Sequence, residues 1–245
     1  MDDGQMEQTL VLIKPDALRL SLTGYLFSQL SEFHTGLRFA GLKVVRVSRM
    51  LAEEHYAEHK GKPFYEPLLE YITGRAHYAD APQHRRVIAV VYSGEDAVSK
   101  IRRIAGPTNP HAARAEAPGT IRALGTLVPV TDAEGTVTGY RMDNLIHASA
   151  SLEEAEREIK LWFLPTDIVP SMRGWPTEYC EEHYYLNDGK LSTSYQPGGT
   201  CLLGPGMLAW KSDLDALRAA AQGAAPESGA NAVAIKYLVN TERET

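Results

Sequence analysis

A histidine followed by two serines and a carboxylate is the strongest candidate for chemistry in this chain. His147 precedes Ser149 and Ser151, and Glu158 lies on the helix that Ser151 is expected to cap. A carboxylate that bonds one imidazole nitrogen fixes the ring tautomer and leaves the other nitrogen free as a nucleophile. A lone histidine before a helix is more often a surface or capping residue, so the remaining sequence decides between these two interpretations.

Several side chains upstream of the histidine are suited to binding phosphate. Lys14 ends a short apolar run, and Arg102, Thr108 and Arg122 lie on the helix and loops before His147. Each residue alone is more often a solvated surface residue, but together they would neutralise a polyphosphate. The chain has neither a Gly-x-x-x-x-Gly-Lys-Ser/Thr loop nor the protein-kinase motif set, which excludes those two nucleotide sites.

A short histidine motif indicates a rival chemistry. His55, Glu58 and His59 form a His-x-x-Glu-His pattern, whose two imidazoles would share one helical face as in an inverted zinc-protease motif. This pattern keeps a zinc hydrolase open as an alternative. The other interpretation is a charged helix that faces solvent, because further acidic and basic residues surround the motif.

The composition limits the class of protein. The 245 residues carry a net charge of -6, which gives no indication of nucleic-acid binding. No apolar run is long enough to span a membrane, and the acidic N-terminus does not resemble a signal peptide, so we expect a cytoplasmic protein. Cys180 and Cys201 are expected to be reduced thiols there, although a single bridge between them stays open.

The order of the predicted elements gives the fold class. Strands are expected at residues 9–13, 42–47 and 87–92, with helices at 22–33, 48–59 and 63–72 and from Ala97. Residues 107–119 are expected to form a loop, and a hairpin turn is expected at residues 132–135. This split βαβ pattern predicts an α/β (α+β) sandwich with a ferredoxin-like core and an antiparallel sheet.

The composition changes after residue 170. We therefore expect a first domain at residues 1–170 and a C-terminal extension at 171–245. Within the extension, turns are expected at 187–189 and 197–199, a helix at 212–222 capped by Ser212 with Asp215, and a strand at 232–239. A segment of this length would struggle to stabilise a separate core, so we expect it to dock on the first domain or on a neighbouring subunit.

An ordered set of short motifs resembles the nucleoside diphosphate kinase family over residues of about 7–170. Each motif is weak alone, but their order along the chain is highly specific. The motifs are TLVLIKPD at 9–16, EHY at 54–56, KPF at 62–64, TNP at 108–110, PGTIR at 118–122, NLIH at 144–147 and AEREIKLWF at 155–163.

The resemblance implies a ping-pong transfer in which His147 takes the γ-phosphate of a nucleoside triphosphate and passes it to a nucleoside diphosphate. It also implies that Ser149 and Glu158 orient His147, that nucleotide phosphates hold Mg²⁺, and that the protein forms a homo-oligomer. The implied nucleotide contacts are Lys14, Arg102, Thr108 and Arg122 at the phosphates, Phe64 and Leu68 at the base, Asn144 near the ribose, and Tyr56 beside the nucleophile.

The chain departs from the family pattern beside the nucleophile. Ala148 replaces the usual glycine, which would strain the backbone if its φ angle is positive, and Ala150 replaces an acidic residue. Extra residues also fall in three loops, where insertions are tolerated. These departures keep two further alternatives open: a nucleotide-binding homologue with altered activity, and a kinase with a specialised acceptor.

Overall fold

The computed structural model describes residues 6–131, 134–187, 189–223 and 230–239. It divides the chain into two compact units, residues 1–159 and 160–245, so the boundary lies before the predicted one at residue 170. The predicted docking of residues 171–245 stays a prediction. None of the helices within the described ranges is long and apolar enough to cross a membrane.

The first unit is built on an antiparallel sheet, which confirms the ferredoxin-like α+β fold class. The sheet has the strand order β2-β3-β1-β6, so the apolar β1 lies inside it and pairs Leu12 with His147. A separate two-stranded sheet is formed by β4 and β5. The strands within its described residues are β1 (Glu7–Ile13), β2 (Arg38–Val45), β3 (Val87–Gly94), β4 (Thr126–Thr131), β5 (Val137–Asp143) and β6 (Ile146–Ala148).

Helices cover this sheet and bury its apolar side chains. Val11 and Ile13 of β1 pack in one cluster with Val90, Ile101 and Ile146, all almost fully buried. This burial holds the strand that carries His147 in a rigid core. The helices are α1 (Pro15–Arg19), α2 (Thr23–Gln29), α3 (Glu32–Thr35), α4 (Arg49–His55), α5 (Tyr65–Ile72), α6 (Ala97–Ala105), α7 (Pro110–Glu116) and α8 (Leu152–Trp162).

Besides the strand expected at 42–47, which the structure has at Arg38–Val45, three predicted elements of this unit differ from the structure. The helix expected at 22–33 is divided, because Ser31 accepts a hydrogen bond from the His34 N–H and starts α3. The helix expected at 48–59 ends at His55 and continues only as a 3₁₀ turn. The loop expected at 107–119 contains α7, which begins because Asn109 caps it and Pro110 occupies its first position.

The predicted hairpin is present as β4 and β5, with Val130 paired to Gly139 and Val128 paired to Arg141. Asp132 and Ala133 of its predicted turn lie outside the described residues. The hairpin is joined directly to β6, so its residues are carried close to His147.

The second unit has small sheets and a hydrophobic cluster of its own, although a segment of this length was not expected to form a core. The cluster includes Tyr184, Leu203, Leu214, Leu217 and Tyr237. The sheets have the orders β10-β8-β9 and β11-β7. The elements are β7 (Thr177–Tyr179), β8 (Tyr184–Asn187), β9 (Lys190–Ser192), β10 (Thr200–Leu203), β11 (Leu208–Trp210), α9 (Lys211–Ala221) and α10 (Ala230–Val239).

Two predictions for this unit are wrong. The strand expected at 232–239 is helix α10, because a short apolar run does not distinguish a strand from a buried helix. Ser212 does not cap α9, which starts one residue earlier, and Asp215 bonds Lys211 instead. Asp188, in the turn expected at 187–189, lies outside the described residues.

Candidate active site

The sheet and α8 bring His147, Ser149 and Glu158 together. His147 Nε2 lies 2.9 Å from each oxygen of the Glu158 carboxylate. Ser149 Oγ donates to Glu158 Oε2 at 2.6 Å and accepts from the backbone N–H of Leu10 at 3.2 Å. The carboxylate is therefore tied to the central strand through a buried hydroxyl, and it fixes the orientation of the imidazole.

The electrostatics of this pair keep the carboxylate ionised. Burial would raise the pKa of the Glu158 carboxyl, but the charge and hydrogen bond of His147 outweigh it and lower the pKa to about 2. An ionised carboxylate only accepts, so the neutral imidazole donates its proton from Nε2. Nδ1 of His147 then carries the lone pair, as a nucleophile requires.

The residues after His147 take ordinary backbone geometry. Ala148 does not have a positive φ, so the added methyl group causes no strain there. The positive φ of 70° belongs instead to Leu145, whose N–H donates to buried Asp16. Ser151 accepts from the Glu154 N–H as predicted for the helix cap, whereas Glu154 itself accepts from the Ala150 N–H rather than from that of Ser151.

Lys14 and Asn144 form a buried polar pair beside this centre. Lys14 Nζ donates to Asn144 Oδ1 at 2.7 Å, and Asn144 Nδ2 donates to the carbonyl of Thr108 at 2.8 Å. Burial and the nearby charge of Arg122 lower the pKa of Lys14 to about 7. The ammonium thus carries its charge at a high desolvation cost, which a bound anion would offset.

This shifted pKa predicts a pH dependence. Because Lys14 is charged only below its pKa, kcat/KM is expected to fall about tenfold per pH unit as the pH rises above about 7. A pH profile of kcat/KM between pH 6 and 9 measures it. The Lys14→Arg variant stays charged over this range and should lose the falling limb. An unchanged limb in that variant would assign it to another group.

Two arginines complete a positive region. Arg122 is buried, donates to the carbonyl of Gly106 at 2.9 Å, and has its pKa lowered to about 10 by burial and by the charge of Arg102. Arg102 and Thr108 are exposed at the end of α6 and in the following loop. Both line the same cavity as Lys14.

Aromatic side chains form a different part of the site. Phe64 is 47% exposed, with its ring centroid 5.5 Å from that of His59. Tyr56 is buried, its ring stacks on His59 at 6.0 Å, and burial together with the Glu158 charge raises the pKa of its phenol. Leu68, on α5 and four residues after Phe64, also lines the cavity.

Ten of the predicted site residues line one cavity of about 520 Å³ within the first unit. The predicted site residues that border it are Lys14, Tyr56, Phe64, Leu68, Arg102, Thr108, Arg122, Asn144, His147 and Glu158. Ser149 is fully buried behind Glu158 and acts through it.

The hairpin also lines this cavity, which the sequence did not predict. Val130, Gly139 and Arg141, which share one face of the hairpin, border the space. Asp143 holds Arg141 through contacts of 2.6 and 3.1 Å and also contacts His77 Nε2 at 2.7 Å. The position of the hairpin could not be predicted from the sequence, because His77 and Asp143, whose contact fixes it, belong to two separate segments with extra residues.

The predicted zinc motif is not assembled. Helix α4 ends at His55, and the next residues form a 3₁₀ turn, so His55 and His59 do not share a regular helical face. Among the described residues, His55, Glu58 and His59 do not form a group with metal-ligand spacing. The structure therefore does not support a zinc hydrolase at this motif.

Comparisons with known proteins agree with this geometry. Residues 7–168 match the family described as nucleoside diphosphate kinase. The Thermococcus kodakarensis nucleoside diphosphate kinase is 38% identical over 82% of this chain and 99% of its own length. The Halobacterium salinarum enzyme in complex with CDP is 34% identical, with a TM-score of 0.51 over 66% of this chain and 91% of its own.

A third comparison concerns a relative with a transition-state mimic. The Borrelia burgdorferi nucleoside-diphosphate kinase with bound vanadate and ADP is 26% identical, with a TM-score of 0.52 over 67% of this chain and 91% of its own. The family match covers well over half of the chain and includes every residue of the candidate site. The chain therefore belongs to the nucleoside diphosphate kinase family.

Proposed function

We propose that this chain transfers the γ-phosphate of a nucleoside triphosphate to a nucleoside diphosphate through a phosphohistidine at His147. The observation that carries the proposal is the contact of His147 Nε2 with buried, ionised Glu158, which leaves the Nδ1 lone pair for attack. The cations that line the same cavity supply the charge that a polyphosphate needs. The relative with vanadate and ADP supports the same reaction class.

The reaction has two mirrored halves. The Nδ1 lone pair forms a bond to the γ-phosphorus, and the bond between that phosphorus and the bridging oxygen breaks, which releases a nucleoside diphosphate. Glu158 accepts the Nε2–H bond throughout and stabilises the positive charge that develops on the ring. A second diphosphate then attacks the phosphohistidine and regenerates the free imidazole.

The remaining roles follow from charge and shape. Lys14, Arg102, Thr108 and Arg122 would bind the phosphates, with Asn144 orienting Lys14 and reaching the ribose. Phe64 would stack on the base beside Leu68, and Tyr56 would pack beside the nucleophile. The half-exposed ring of Phe64 and the buried hydrogen bond between Lys14 and Asn144 support this division of the cavity.

Magnesium fits this site through the nucleotide. Mg²⁺ prefers oxygen ligands, and the side chains around the phosphate region are mostly cationic or already bonded, as Glu158 is. The phosphates themselves would therefore hold the ion, and Lys14, Arg102 and Arg122 would orient those phosphates. When bound, Mg²⁺ supplies further neutralisation of the transferring phosphoryl group.

A labelling experiment tests the proposal. The protein is incubated with ATP labelled at the γ-phosphate, and the labelled protein is then treated with acid or base. Phosphohistidine is lost in acid and survives base, so we expect that pattern and transfer of the label to added GDP. If the protein binds ATP but takes no label, the nucleotide-binding homologue with altered activity is the better description.

Glu158→Gln is expected to lower kcat about 10- to 100-fold, because an amide orients the ring less well and does not balance its positive charge. Transfer from ATP to GDP measures the effect. Glu153→Gln, an exposed residue in the first turn of α8, is the matched control and should retain its rate. Equal rates in both variants would remove Glu158 from the mechanism.

Base selectivity is expected to be loose, because stacking on Phe64 tolerates every base. Transfer to ADP, GDP, CDP and UDP under one condition measures it. A preference beyond about 100-fold, or roughly 2.7 kcal/mol, would contradict a stacking-only base site. That result would favour the specialised-acceptor alternative, with Arg141 as the first residue to examine because it also lines the cavity.

We also propose a homo-oligomer in the cytoplasm. The edge strand β2 exposes Leu42 and Val44, and an apolar sheet edge is suited to pairing with a second copy. Cys180 and Cys201 are free thiols in the structure, and a reducing compartment keeps thiols in that form.

A further inference from the structure

A third side chain extends the histidine–glutamate pair. His55 is buried, its Nδ1 lies 3.9 Å from Glu158 Oε1, and its ring centroid is 4.7 Å from that of His147. One ligand atom from each of His55, His147 and Glu158 lies within 4.8 Å of the other two. Within the described part of the chain, this is the only group of three such side chains with metal-ligand spacing.

The chemistry of these donors favours zinc. Two imidazoles and one carboxylate, with a fourth position for water, form a common zinc coordination set. Tetrahedral zinc bonds of about 2.0–2.1 Å place ligand atoms about 3.3 Å apart. The Glu158 carboxylate lies 2.9 Å from His147 Nε2 and 3.9 Å from His55 Nδ1, and these two distances bracket that value. Small side-chain movements would therefore bring the three ligands to coordination distance. The cavity beside His147 provides the open position.

We propose that His55, His147 and Glu158 bind one Zn²⁺ and that this ion switches the kinase off. Zinc would take the lone pair of His147 Nε2, and the proton of that nitrogen would move to Nδ1 with no net release. A protonated Nδ1 has no lone pair with which to attack a phosphate. Zinc binding therefore needs the ring proton on Nδ1, whereas attack on phosphate needs it on Nε2, so the two processes exclude each other.

Phosphorylation should exclude the metal by the same rule. A phosphoryl group on Nδ1 leaves the ring proton on Nε2, where it is held by Glu158 and blocks coordination. Linkage then requires the reciprocal effect, in which bound zinc disfavours phosphoenzyme formation. This exclusion rests on the proposed function, whereas metal binding itself does not.

Zinc binding is measured directly on the full chain without nucleotide or magnesium. Titration with Zn²⁺, or with Co²⁺ as a coloured substitute, is expected to show one ion per chain. The same protein phosphorylated with ATP and freed of nucleotide should bind at least about 100-fold more weakly, since a ligand is lost. Equal binding by both forms, or no binding to the unphosphorylated form, would overturn the proposal.

Two neighbouring histidines provide a matched pair of variants. His55→Gln is expected to weaken zinc binding at least about 100-fold, whereas His59→Gln should retain it because His59 lies outside the group. Loss in the His59 variant alone would place the ion at the His-x-x-Glu-His motif and reject our site. If the buried His55 variant does not fold, the phosphorylation comparison still decides the question.

Activity measurements separate this inference from the proposed function. With Mg²⁺ present and a chelator that binds Zn²⁺ but not Mg²⁺, label uptake from ATP tests the kinase alone. Zinc should then slow that uptake, and the chelator should restore it, while added Mg²⁺ should not. A protein that binds zinc but takes no label would keep the metal site and reject the kinase.

Discussion

Replacement of His147 by alanine is expected to lower phosphate transfer by at least about 10,000-fold, the scale on which loss of a nucleophile acts. The reason is that alanine has no imidazole, and the Nδ1 lone pair of His147 forms the bond to phosphorus in the proposed intermediate. Transfer from ATP to GDP and label uptake by the protein measure the loss.

His111→Ala is the control for this experiment, because His111 is exposed on α7 and does not line the cavity. It should retain the wild-type rate. Near-normal turnover in the His147 variant would reject the phosphohistidine mechanism, whereas equal losses in both variants would indicate a general effect on folding.

Replacement of Arg102 by methionine is expected to lower kcat/KM about 100- to 1,000-fold, the usual effect of removing one group that stabilises developing charge. Arg102 lines the cavity, and its charge already lowers the pKa of buried Arg122. Methionine keeps much of the side-chain length and removes the guanidinium. Steady-state transfer from ATP to GDP measures the effect.

Arg103 supplies a closely matched control. It follows Arg102 on α6 and is also exposed, but it does not line the cavity. Arg103→Met should therefore retain kcat/KM within a small factor. Similar losses in the two variants would show that the net charge of the helix matters, and not a contact of Arg102 with phosphate.

Sequence periodicity and one cap predicted the part of the fold that holds His147. The apolar runs of β1 and β3 are buried on both faces, and such runs are distinctive. Ser151 and Glu154 marked the start of α8, and its period placed Glu158 beside the apolar stripe of that helix, where the structure buries it. Their proximity to His147 followed from the short distance along the chain.

Contacts between segments far apart in the chain could not be predicted from the sequence. His77 and Asp143 meet across 66 positions, and neither has a local pattern that indicates the other. Lys14 and Asn144 are 130 positions apart; the family resemblance placed each of them near the nucleotide, but the hydrogen bond between them was not predicted. In the second unit, helix α10 was mistaken for a strand because its apolar residues have no clear period.

The hairpin of β4 and β5 forms a wall of the cavity that is structurally separate from the sheet carrying His147. Its hydrogen-bonded ladder is separate from the sheet that carries His147, yet Val130, Gly139 and Arg141 border the same cavity. Apart from Gly139 itself and its two chain neighbours, no described protein atom lies within 4 Å of a Cβ added at Gly139, so a Cβ fits there without steric conflict. A change of side chain on this hairpin would therefore alter one wall of the cavity and leave the hydrogen bonds of the sheet that carries His147 unchanged.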